Sequence, residues 1–110
     1  MSDQPYASVV IPCLNEAAHI GACLDALASQ QGAEPGFEVL VVDGGSDDGT
    51  REILGRRTET DRWLRVLDNP ERITPVAMNM GIDAANADVV IILGAHAEVA
   101  PDFVRRNLEA

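Results

Sequence analysis

Four short apolar runs rich in β-branched residues punctuate the chain, and a stretch with apolar residues at helical spacing follows each of the first three. Ser8-Val9-Val10-Ile11-Pro12 has the form of a buried parallel strand stopped by proline. Asn15 is placed to cap a helix with Glu16 in its first turn, and Ile20, Cys23, Leu24 and Leu27 recur at helical spacing to about Ser29. His19 falls on the expected exposed face of that helix and reads as a surface residue.

The turn-rich Gln31-Gly32-Ala33-Glu34-Pro35-Gly36 leads into Phe37-Glu38-Val39-Leu40-Val41-Val42-Asp43, a second buried strand that ends on an acid. Gly44-Gly45 breaks it, Ser46 or Asp47 is expected to cap a second helix, and Ile53 and Leu54 give that helix a modest apolar face. Leu64-Arg65-Val66-Leu67 predicts a weaker strand and Asn69-Pro70 a turn. Thr74 before Pro75 opens a third helix with Val76, Met80 and Ala84 as its expected buried stripe. Asp88-Val89-Val90-Ile91-Ile92-Leu93 is the fourth strand, and a loop from Gly94 to Ala100 precedes a closing helix from Pro101.

This alternation predicts one α/β domain over residues 1–110, a Rossmann-like parallel sheet with helices on both faces and ligands beyond the carboxyl ends of the strands. At 110 residues, with 46% hydrophobic and 24% charged, the chain is long enough for one core and resembles neither a disordered nor a fibrous protein.

Charge narrows the partners. A formal net charge of −10 argues against a nucleic-acid surface, where clustered Lys and Arg carry affinity. An anionic ligand would then rely on backbone N–H groups, an arginine or a recruited divalent cation. No apolar run approaches the roughly 20 residues of a membrane span, and the start has no secretory pattern. Cys13 and Cys23 lack the spacing of a zinc or redox motif and are expected to be reduced thiols of a cytoplasmic protein.

Three strand ends carry the candidate chemistry: Cys13-Leu14-Asn15-Glu16, Asp43-Gly44-Gly45-Ser46 and Gly94-Ala95-His96-Ala97-Glu98. An acid closing an apolar strand requires hydrogen bonds. Asp43 is suited to the N–H of a base or to a ribose hydroxyl, or else to fixing its own glycine-rich turn. His96 and Glu98, two apart in an extended loop, can share a cation bridging phosphates, although a loop histidine is more often a solvated group or one that supports a ligand. Neither G-x-G-x-x-G nor the P-loop pattern occurs, which removes the main support for a dinucleotide or P-loop site.

These blocks resemble the family 2 glycosyltransferases of GT-A fold, which move a sugar from a nucleotide-diphospho-sugar to an acceptor. Ser8 to Glu16 is similar to the family's opening strand and its Pro-Thr-Tyr-Asn-Glu type motif, with Cys13 and Leu14 replacing Thr and Tyr. Val41 to Thr50 resembles Val-Asp-Asp-Gly-Ser-x-Asp-Gly-Thr, with Gly44 in place of the second Asp; Ala77 to Ala85 resembles the Ala-Arg-Asn-x-Gly helix, with Met78 in place of Arg. Val90 to Glu98 is similar to the strand and Asp-x-Asp loop, its Ala-His-Ala-Glu wording being closest to succinoglycan-type exopolysaccharide enzymes, with Gly94 in place of the first Asp.

The resemblance implies a hexosyltransferase acting in polysaccharide or lipid-linked glycan assembly at the inner face of a membrane, with a UDP-sugar as donor. It implies nucleotide contacts at Pro12, Cys13, Asn15, Glu16, Asp43, Gly45, Ser46, Asn79 and Ala95, with the base recognised by Asp43. It also implies a divalent cation, Mn or Mg, held by His96 and Glu98. The family's domain continues into an acceptor-binding half that supplies the general base, so this chain is expected to be the donor-binding part. An open sheet edge is then expected, with self-association into a homodimer. Two other readings stand beside it: a catalytically silent interaction module of the same fold, and a nucleotidyltransferase, whose glycine-rich, Arg-containing signature Asn15-Glu16-Ala17-Ala18 does not match.

Overall fold

The computed structural model describes residues 7–30, 36–96, 101 and 103–104. Its elements alternate as the hydrophobic pattern requires: β1 (Ala7–Cys13), α1 (Ile20–Ala28), β2 (Phe37–Asp43), α2 (Thr50–Thr60), β3 (Leu64–Asp68), α3 (Thr74–Ala84) and β4 (Val89–Ile92). The four strands form one parallel sheet in the order β3-β2-β1-β4. Residues 103–104 are helical, and the remainder of the expected closing helix lies outside the described residues.

Strand alternation divides the core in two. Val9, Ile11, Val39 and Val41 face one side, where Ile20, Cys23, Leu24 and Leu27 of α1 and Leu54 of α2 cover them. Val10, Leu40 and Val42 face the other side and meet Ala77 and Met80 of α3. The helices therefore lie on both faces, and every apolar residue of the two central strands is buried except Pro12 and Phe37, which are partly so.

Local signals misplace several details. Asn15 does not cap α1: residues 17–19 form a turn, the helix begins at Ile20, and Asn15 (φ 53°) directs its side chain to another loop. Neither Ser46 nor Asp47 caps α2, which starts after Gly49 at φ 103°, while Ser46 turns inward and Asp48 accepts the Thr50 N–H. On α3 the buried positions are Ala77 and Gly81, with Met80 and Ala84 packed beside them and Val76 only half-buried. α3 approaches β1 so closely that a Cβ at Gly81 would overlap Val10, which small residues alone permit.

β4, the most apolar run in the sequence, is an edge strand rather than a central one. Among the described residues it pairs only with β1, and Val89 and Ile92 are 38% and 41% exposed. At the opposite ends of the strands Glu38 ties the sheet together. It accepts from Ser8 Oγ (2.6 Å), the Asn86 N–H (2.6 Å) and Asn86 Nδ2 (3.1 Å), and pairs with Arg65 at 3.2 Å.

Candidate functional site

The carboxyl ends of β1 and β2 lie level, with Cys13 opposite Asp43 and the Gly44 N–H donating to the Cys13 carbonyl at 2.8 Å. From there the two chains leave as loops bonded to each other. The Asn15 N–H donates to Ser46 Oγ (2.8 Å), Asn15 Oδ1 accepts the Asp47 N–H (2.9 Å), the Glu16 N–H donates to Thr50 Oγ1 (3.0 Å) and the Ala17 N–H to Asp48 (3.1 Å). The Thr50 hydroxyl bonded to Asp48 holds that carboxyl below its ordinary value, so it stays an acceptor.

Asp43 anchors this assembly. Its carboxylate accepts the N–H groups of Gly45 (3.2 Å) and Ser46 (3.0 Å) and the Ser46 hydroxyl, and Arg51 stands 3.8 Å away. It is 1% exposed, at the back of a hollow that Gly45, Asp68 and Arg72 also line. Of the two roles open to this residue, fixing its own turn is observed, and a carboxylate has lone-pair sites enough to accept from a base as well.

A cleft of about 370 Å³ crosses the strand ends beside this turn. Pro12, Cys13, Leu14 and Glu16 follow β1, Gly44 follows β2, Asn69, Arg72 and Ile73 belong to the loop between β3 and α3, and Gly94, Ala95 and His96 follow β4. At the β4 end, His96 Nδ1 lies 3.2 Å from Glu16 Oε2, and the His19 ring meets the His96 ring edge-on with centroids 6.2 Å apart. His19 is exposed, as helical periodicity expects, and does not line the cleft, although its ring touches that of His96.

The residues expected to touch a nucleotide divide into three groups. Pro12, Cys13, Glu16 and Ala95 line the cleft, as does His96. Asn15, Asp43, Gly45 and Ser46 do not line it and shape the loops, while Asp43 and Gly45 line an adjoining hollow that shares Gly44, Asn69 and Arg72 with the cleft. Asn79 is exposed on α3 and is not among the lining residues. Glu98 lies outside the described residues. Arg72 was not singled out by the sequence; a cation just ahead of a helix, in a loop that follows a strand, is the signal that finds it. Burial, with Asp43 and Glu16 nearby, pushes the Cys13 thiol up to about 12, so the cleft floor carries a neutral S–H and no nucleophile.

The donor set for a divalent cation is partial. Gly94 contributes no side chain, and no three His, Cys, Asp or Glu among the described residues are grouped to hold a metal. His96 and Glu16 supply one nitrogen and one oxygen, a pair that fits a cation completed by phosphate oxygens and water rather than by a protein cage.

Comparison with known proteins agrees with this geometry. Residues 8–110 match the family described as Glycosyl transferase family 2. The succinoglycan biosynthesis protein ExoA of Rhizobium meliloti is 40% identical over 103 residues, covering 92% of this chain and 31% of that protein. A dolichyl N-acetyl-alpha-D-glucosaminyl phosphate glycuronosyltransferase of Methanococcus voltae is 33% identical over 94% of this chain and 33% of its own length. Among solved structures, a mannosyltransferase from Pyrobaculum calidifontis in complex with GDP-Man and Mn2+ superposes with a TM-score of 0.79 at 32% identity, over 91% of this chain and 30% of that one. S. aureus TarS in complex with UDP-GlcNAc shares the fold, with a TM-score of 0.79 at 23% identity, over 91% of this chain and 29% of that one. The chain thus spans about a third of the length of the relatives it matches.

Proposed function

The chain belongs to glycosyl transferase family 2, and from that premise we propose that the cleft over its strand ends holds the nucleotide of a nucleotide-diphospho-sugar. In the whole protein this serves the transfer of a hexosyl group to a growing polysaccharide or lipid-linked acceptor. The observation that carries the reading is the polarity of the cleft: apolar Leu14 and Ile73 at one end, His96 paired with Glu16 at the other. A nucleoside diphosphate has the same two-ended character, a flat base and an anionic tail, and doubly wound sheets place ligands at these strand ends.

Each lining residue has a part in this reading. Pro12, Leu14 and Ile73 offer a hydrophobic seat for the base, Cys13 and Ala95 close the floor, and Glu16 and His96 face the diphosphate. Asn15 and Ser46 act at one remove, holding the two loops in the spacing the ligand needs, and Asp43 and Gly45 border the hollow that adjoins the cleft. His96 and Glu16 would hold the divalent cation, Mn or Mg, and Glu98, two positions after His96 in the sequence, is the further proposed ligand. The cation, when bound, neutralises charge on the diphosphate as the sugar departs. UDP is the proposed carrier and the cytoplasmic face of a membrane the proposed site of action; among the described residues no helix is long and apolar enough to cross a membrane.

Backbone amide NMR tests the placement. Addition of UDP is expected to shift the amides of Cys13, Gly44, Ala95 and His96 while those of α2 stay put. Shifts confined to surfaces away from the strand ends contradict it.

A further inference from the structure

His96 follows the edge strand β4 and is 71% exposed, a setting in which a histidine ring is free to turn among its rotamers. Two contacts steady it, and both come from residues 16–19, the segment that leads into α1. We propose that this segment positions His96: Glu16 accepts the Nδ1–H and His19 packs against the ring, so that Nε2 is the atom presented to the cation and the diphosphate. This rests on the nucleotide reading above and adds which atom of His96 is offered and which residue outside the cleft holds it there.

The segment is tied down on its own side. The Glu16 carbonyl accepts the N–H groups of His19 (2.9 Å) and Ile20 (2.8 Å), and the His19 carbonyl accepts that of Cys23 (3.0 Å). Ile20 and Cys23 are buried in the core, which fixes the turn to the sheet. At its start the Glu16 N–H donates to Thr50 Oγ1 and the Ala17 N–H to Asp48. Residues three apart on such a turn are neighbours, so Glu16 and His19 reach His96 together.

Glu16 acts on the tautomer. Its Oε2 lies 3.2 Å from His96 Nδ1, and an ionised carboxylate accepts hydrogen bonds without donating them. The pairing therefore puts the proton of a neutral ring on Nδ1 and leaves the lone pair on Nε2. A metal-ligating histidine is oriented in the same way, by a partner on its other nitrogen. Glu16 spends one oxygen on this bond and has a second for the cation.

His19 acts on the rotamer. Its ring meets the His96 ring edge-on, with centroids 6.2 Å apart and planes inclined at 66°, an arrangement that aromatic pairs favour. A ring held from one side by a carboxylate and from another by a second ring has fewer ways to turn out into solvent. His19 itself is exposed and does not line the cleft, so its influence on a ligand runs through His96.

Another side of the ring is open. Beyond its chain neighbours, a Cβ at position 94 would meet only His96 Cε1 among the described residues, at 4.0 Å. Gly94 is not among the glycines at positive φ, so neither its backbone nor its packing demands glycine. Glycine there leaves the Cε1 edge, next to Nε2, uncovered in the wall that Gly94, Ala95 and His96 give the cleft.

Two measurements test this. Long-range proton–nitrogen NMR of the chain alone, in mildly alkaline buffer, reads the His96 tautomer: Nδ1–H is expected in wild type, and a shift toward Nε2–H in Glu16→Ala. Electron paramagnetic resonance of Mn2+ in the presence of UDP reads cation affinity. It is expected to fall about threefold or more in His19→Ala, the dilution of one staggered rotamer among three, and to stay within about twofold of wild type in His19→Phe, which keeps a ring against His96 but no ligating nitrogen. A wild-type ring protonated on Nε2, or unchanged affinity in His19→Ala, overturns the inference and leaves the nucleotide site standing. An equal loss in His19→Phe would make His19 a ligand of the cation and overturn its positioning role. Failure of folded wild type to bind any nucleoside diphosphate removes the nucleotide reading, and the ligand assigned to Nε2 with it.

Discussion

The N–H of Asn15 donates to the hydroxyl of Ser46 across 31 positions of sequence, and that hydroxyl in turn donates to the buried carboxylate of Asp43. Three residues thereby fix the spacing of the two loops that border the cleft. Ser46→Ala strands the Asn15 N–H and is expected to lower stability by about 1–3 kcal/mol, the cost of an unsatisfied partly buried group. Asp43→Ala strands three donors and should cost more. Urea unfolding of both variants gives the order; equal stability of Asp43→Ala and wild type contradicts it.

Glu38 makes the fold acid-sensitive. Burial pushes its carboxyl up, but the bonds from Ser8 and Asn86, with Arg65 nearby, outweigh burial and hold it below its ordinary value. Because the folded pKa is depressed, the stabilisation is complete above the unfolded value of about 4.3 and disappears as pH falls through the folded one. Stability measured from pH 7 downward should decline more gently in Glu38→Gln than in wild type. Parallel declines would show that Glu38 contributes nothing to the acid limb.

Gly81 faces Val10 without room for a methyl group, since an added Cβ would overlap Val10 Cγ1 and stand 2.9 Å from Cγ2. Gly81→Ala gains helix propensity but must push α3 off the sheet. The second effect should win, with a net destabilisation of about 1–3 kcal/mol by thermal or urea unfolding. A stabilised variant would mean that α3 shifts at little cost.

Cys13 is 6% exposed on the floor of the cleft, and its thiol is raised to about 12. Alkylation by iodoacetamide at pH 8 is expected to be far slower in the folded chain than in urea, because the thiolate is the reacting species. Labelling at equal rates in both states would place the thiol in an ordinary, open setting.

The sheet was legible in the sequence because a buried parallel strand leaves a direct mark: runs such as Val39 to Val42 can be apolar throughout only when both faces are covered. The acid that closes β2 was legible for the same reason, as the charge that ends the apolar run Val39 to Val42. What the sequence hid is non-local. Asn15 has the chemistry of a helix cap, but its side chain serves the Asp47 N–H of a loop that the local sequence does not contain. His19 is exposed as its periodicity indicates, but its contact with His96 exists only through the pairing of β1 with β4. Arg72 was passed over inside a turn signalled by Asn69-Pro70, since its relation to Gly44 exists only once β2 and β3 are side by side.

The most direct measurement is a calorimetric titration of the chain with UDP, with and without Mn2+, repeated on His96→Ala. The account predicts saturable one-to-one binding that manganese strengthens in wild type and does not strengthen in the variant. A well-folded chain that gives no binding heat with UDP or GDP in either buffer would contradict the nucleotide site itself.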